Sequence, residues 1–152
     1  MNKIILTNLL ILQAYLLCGQ SDILSDTTFQ LSDAVTLNHC LVTRDGRVAC
    51  VGEQKSVGGD IKGYFLLVDP RKGEILKEQA IGNVQKCGFT SVAEADDGSF
   101  YTVGYTETGN PKRGMEAWLI RFDETGSKSS AFQDLKFGGA GNDRFEDRKS
   151  VV

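Results

Sequence analysis

Histidine, proline and tryptophan are nearly missing from this chain: one His, two Pro and one Trp occur in 152 residues. So little proline, beside 41% hydrophobic residues, sets aside collagen-like and disordered classes. Basic blocks are absent too. Lys and Arg number 17 against 20 Asp and Glu, a net charge of -3, so nothing is present to neutralise a run of phosphates, and a general nucleic-acid binder is disfavoured. The four cysteines have no zinc spacing. No Gly-x-Ser-x-Gly elbow and no phosphate-cradling glycine loop ahead of a helix occurs. No window carries a 3.6-residue period long enough for a helix. The sole histidine, His39, stands without the cysteine or carboxylate pattern typical of a metal site and reads as a packed or surface imidazole. No catalytic, metal or cofactor set is therefore expected.

What is present begins with the N-terminus. Lys3 precedes a mostly apolar run from Ile4 to Leu17, followed by Cys18-Gly19-Gln20. This charge, apolar stretch and small-residue exit predict a secretory signal peptide over residues 1–19. The run falls short of the roughly 18 apolar residues of a membrane span. Leu16-Leu17-Cys18-Gly19 also resembles a bacterial lipobox, which would make Cys18 a lipid-bearing residue, although that box has a small residue where Leu17 stands. Residues 20–36 read as a leader or edge strand.

From Leu37 onward the chain repeats. Asp45-Gly46 with Gly52 answers Asp97-Gly98 with Gly104 at an offset of 52, and Tyr64 to Asp69 answers Trp118 to Asp123 at 54. A third copy is expected to start near Gly141-Asn142-Asp143. Each unit reads as four short strands separated by turn residues. In the first the strands are expected at Leu37 to Thr43, Arg47 to Gly52, Gly63 to Asp69 and Glu74 to Ile81. In the second they are expected at Phe89 to Ala95, Ser99 to Tyr105, Glu116 to Phe122 and Ser129 to Phe137. The fold class is all-β: tandem four-stranded antiparallel blades of an incomplete β-propeller, with residues 37–88 as blade 1, 89–140 as blade 2 and 141–152 as the start of a truncated third. Tyr64 and Trp118 fall at one position of the unit, where packing between successive sheets is their expected work.

The run from Asp97-Gly98 through Val103-Gly104-Tyr105, Ala117 to Gly126 and Phe137-Gly138-Gly139-Ala140-Gly141-Asn142-Asp143 resembles the propeller-like repeat of exported proteins of Gram-negative bacteria. The first unit departs from it, with Ala80-Ile81-Gly82-Asn83 in place of the glycine-rich run. Kelch blades match less well, since their paired glycines are missing after Val51 and Val103. The resemblance implies a non-enzymatic module of a secreted or cell-surface protein, a scaffold or a binder of protein or glycan. The alternative is the front part of a secreted propeller enzyme, such as a glycoside-processing one.

Two local patterns carry chemistry of their own. Gly138 to Glu146 fits one copy of a nine-residue calcium-roll pattern, yet no neighbouring copy supplies the remaining oxygens, so a turn between units is the better account. Cys40 and Cys50 flank the first hairpin. A three-residue loop Arg44-Asp45-Gly46 would place them opposite each other and allow a disulfide in an oxidising compartment, whereas a two-residue loop would set Cys40 against Val51, with the sulfurs on opposite faces.

Overall fold

The structure, a computed structural model, describes Phe29, Leu31 and residues 34–84, 86–107, 114–139 and 141–145. The segment read as a signal peptide, Cys18 included, lies outside the described residues. Eight strands follow in order: β1 (Ala34–Val42), β2 (Val48–Lys55), β3 (Ile61–Asp69), β4 (Glu74–Ile81), β5 (Cys87–Glu94), β6 (Phe100–Glu107), β7 (Met115–Phe122) and β8 (Leu135–Phe137). They form two four-stranded antiparallel sheets, β1-β2-β3-β4 and β5-β6-β7-β8. The described residues contain no helix, and so none long and apolar enough to cross a membrane.

Turn chemistry sets the hairpins. Thr43 N–H donates to Arg47 O and Gly46 N–H to Thr43 O, and Ala95, Ser99 and Gly98 make the same pair of bonds. Each loop therefore holds three residues and closes on a glycine with φ of +83° at Gly46 and +79° at Gly98, a region that only glycine enters freely.

The two sheets share one register. In the first, Gly52 faces Leu37 on one side and Tyr64 on the other, and the β1 ladder slips between Leu37 and His39. In the second, Gly104 faces Phe89 and Trp118, and β5 slips between Phe89 and Ser91. Bulges at Asn38 and Thr90 thus fall at the same place in each unit. Gly52 and Gly104 have a common physical reason: a Cβ on Gly104 would stand 2.0 Å from Gly88 O and 2.8 Å from Phe89 Cα, while one on Gly52 would collide with Thr36 O and approach Leu37 Cα. The bulged strand presses its backbone onto its neighbour, and no side chain fits beneath it.

Alternation along the strands separates two faces. Ala49, Val51, Phe65 and Leu67 point from the first sheet into the main core, where they meet Phe89, Val92, Phe100, Trp118, Ile120 and Phe122 of the second. Phe65 stacks on Phe122 at 4.2 Å between ring centroids and meets Phe100 at 5.6 Å. The opposite face of the first sheet carries Cys50, Tyr64, Leu66 and Val68, packed under Phe29, Leu31 and Val35. Register makes Tyr64 the counterpart of Trp118 and Leu66 that of Ile120. Corresponding faces therefore point the same way, and the rear of one sheet lies on the front of the next.

Three sequence expectations need correction. Strands β2 and β3 run on to Lys55 and start at Ile61, so their loop is shorter than Glu53 to Lys62. The last strand is only Leu135–Phe137 rather than Ser129 to Phe137. Lys128 makes an isolated bridge to Phe122, after which small residues leave the ladder, Phe132 folds against Tyr101 at 5.8 Å, and Lys128 Nζ pairs with Asp134 at 2.7 Å. Tyr64 is buried, but beneath Phe29 and Leu31 rather than between the two sheets.

Candidate functional site

Several polar side chains bridge the two sheets, and β1 with the hairpin loop that follows it supplies most of them. Asn38, freed by the bulge from ladder pairing, donates from Nδ2 to Phe89 O at 2.8 Å. His39 accepts at Nδ1 from Val92 N–H at 3.2 Å, with Ser91 Oγ at 3.4 Å. An Nδ1 that accepts from a backbone amide must be unprotonated. Arg44 donates from its backbone N–H to Glu94 Oε2 and from its guanidinium to Asp96 Oδ1, both at 2.9 Å, and Arg47 donates to Glu124 O at 2.7 Å. The sequence reads His39 as a packed or surface imidazole and does not show its partners across the junction. The signal that could have found it is its place next to a bulge, which the sequence does not mark.

Cys40 and Cys50 stand directly opposite, with Cα atoms 4.1 Å apart, and are joined as a disulfide. The three-residue loop fixes this: Thr43 and Arg47 form a hydrogen-bonded pair, so the position three further along is a close, non-hydrogen-bonded one. The bridge lies on the front of the first sheet, at the place Val92 and Thr102 occupy in the second. Cys40 is exposed and Cys50 buried. Cys87 stays a buried free thiol whose Sγ lies 3.4 Å from Ile81 O, and burial pushes its pKa up.

The turn ends carry repeated carboxylate devices. Asp45 accepts from the Thr43 hydroxyl and pairs with Arg47; these bonds, the Thr43 one first, hold its carboxyl at about 2. Asp97 is lowered chiefly by the Ser99 hydroxyl and also pairs with Arg121. Asp123 is lowered first by Thr125. Asp69 is lowered first by Arg71. Each carboxylate is consumed in tightening its own turn. At the other end, Tyr105 Oη donates to Glu53 Oε1 at 2.8 Å across Gly88, and burial, then Glu53, raises the phenol far above its ordinary value. Tyr64 behaves alike, through burial and then Glu78.

In the glycine-rich run, Asn142 Oδ1 accepts from Met115 N–H at 3.0 Å and Asp143 Oδ2 from Gly139 N–H at 3.0 Å. Both side chains bind backbone and shape a turn. Among the described residues no cluster of three or more His, Cys, Asp or Glu is arranged to hold a metal ion.

Chemically, then, the junction joins, orients and stabilises two sheets. A scan of protein-family models finds none that matches this chain, and a search of curated proteins finds no match either.

Proposed function

We propose that the chain is a propeller-type scaffold module of an exported protein, two blades whose loops or edges engage a protein or glycan ligand. The observation that carries this reading is the head-to-tail stacking of two sheets with one register, since a repeated interface is the means by which blades propagate. A disulfide between Cys40 and Cys50 supports export, because such bonds persist in oxidising compartments. The turn carboxylates support a binding rather than a hydrolytic role, each being already engaged by its own loop.

Expression of the whole coding sequence with mass analysis of the product tests the export half. The expected product starts at Gln20, or at a lipid-modified Cys18, and an unprocessed cytoplasmic chain beginning at Met1 contradicts it. Screening the purified protein on a glycan array and with chromogenic glycosides tests the other half. Binding without turnover supports a scaffold, whereas turnover that survives purification contradicts it.

A further inference from the structure

We infer that the outer face of the second sheet is the docking seat of another four-stranded unit of the same repeat, entering in cis through Asp143–Phe145. This rests on the stacked-unit reading above and adds the place, direction and starting residue of the next contact.

The argument begins with Phe89, the residue by which the second sheet enters the first. Its carbonyl accepts from the bulge residue Asn38 at 2.8 Å, and its ring lies where a Cβ on Gly63 would come within 2.8 Å. Phe145 repeats this arrangement one unit on. Its carbonyl accepts from Thr90 Oγ1, the bulge residue of β5, also at 2.8 Å, and its N–H reaches Gly104 O at 3.3 Å. Its ring meets Phe137 at 5.9 Å beside Ala117, the counterpart of Gly63, around a cavity of about 280 Å³. Phe89 is fully buried, whereas Phe145 is 37% exposed.

The face behind Phe145 shows the same incompleteness. Val51 and Phe65 are fully buried beneath the second sheet, while their counterparts Val103 and Leu119 are only half-buried and Phe137 is 49% exposed. At the front of the stack Phe29 and Leu31 already cover Tyr64 and Leu66. One end is closed and the other open, so a second copy of this chain has no free front face to offer. The occupant must supply a front face like that of the second sheet, apolar over Val103 and Leu119. Near Arg121, which replaces Leu67 and is paired with Asp97, it must also leave room for a charge.

The test continues the protein from Phe145 with a second copy of residues 90–145, which the equivalence of Phe145 and Phe89 places in register. The expected product is a monomer with one cooperative melt, a higher Tm than the parent and less anilinonaphthalene sulfonate bound. In it Leu119→Asp lowers Tm by roughly 5 °C or more, as burial of a charge requires, while the same change moves the parent by less than about 2 °C. In the parent chain, Thr90→Val should speed amide exchange at Phe145 about fivefold, the value of one lost hydrogen bond. Two results overturn the inference: an appended copy that stays protease-labile with Leu119→Asp silent, or a parent dimer that Leu119→Asp converts to monomer. Turnover of glycosides would defeat the scaffold reading alone and leave these outcomes unaffected.

Discussion

Replacing Gly104 by alanine should be among the most damaging single-methyl additions to this protein. The added Cβ would stand 2.0 Å from Gly88 O, 2.8 Å from Phe89 Cα and 2.9 Å from Gly88 C, all of them backbone atoms of the bulged β5. No rotamer change relieves such a clash. Either β5 withdraws, losing the seat of Phe89 in the main core, or the β5–β6 ladder breaks at the bulge. Overpacking commonly costs about 1–3 kcal/mol, and a clash with main chain belongs at the upper end. For a domain of this size about 3 kcal/mol lowers Tm by roughly 10 °C. Gly52→Ala should match it, because Thr36 O and Leu37 Cα occupy the same places around Gly52. Gly139→Ala, with no atom within 4 Å of the new Cβ, is the control and should shift Tm by less than about 2 °C. Thermal and urea unfolding followed by circular dichroism reads all three. A Gly104→Ala protein as stable as the parent would refute the close approach of bulge and neighbour.

The remaining predictions are these. Reducing Cys40–Cys50, or replacing both residues by serine, should cost about 3 kcal/mol in urea unfolding, the loop-closure entropy of a bridge spanning 10 residues; an unchanged midpoint would show the hairpin indifferent to its bridge. Val92→Cys with Thr102→Cys should form a second bridge, since these residues pair as Cys40 and Cys50 do; peptide mapping that finds both thiols free under oxidising conditions would refute the shared register. His39→Ala leaves the Val92 N–H without its acceptor and should cost about 1–3 kcal/mol; a midpoint within experimental error of the parent would show this contact idle. Asp45 has a folded pKa of about 2, below its unfolded value. Its contribution is therefore present above about pH 4 and is lost as pH falls towards 2. The Tm gap between parent and Asp45→Asn should narrow over that window, and a constant gap would contradict the assignment.

Much of the fold was legible because its local rules are written in residue types. Asp-Gly pairs marked the hairpins, short apolar runs bounded by turn residues marked β3 and β7, and equal spacing of Gly52 and Gly104 marked the repeat. The sequence left the Cys40 and Cys50 pairing open between two loop lengths, and a single backbone bond, Thr43 N–H to Arg47 O, decides between them. The bulges at Asn38 and Thr90 were invisible, since a slipped register depends on what the neighbouring sheet demands rather than on the bulged residue itself. For the same reason the work of Asn38, His39 and Arg44 could not be read: their partners lie about fifty residues away. The last strand is shorter than Ser129 to Phe137 because Ser129 to Asp134 holds one strand-favouring residue, Phe132, and the packing of Phe132 on Tyr101 and the pairing of Lys128 with Asp134 draw the chain off the ladder.

Head-to-tail stacking of equivalent sheets is most directly tested by nuclear Overhauser contacts among the aromatic rings. The account predicts strong contacts from Phe65 to Phe122 and Phe100, from Phe89 to Trp118, and none from Tyr64 to the second sheet. Contacts from Tyr64 to Trp118 or Phe122 would instead mean that the sheets meet front to front, and would contradict it.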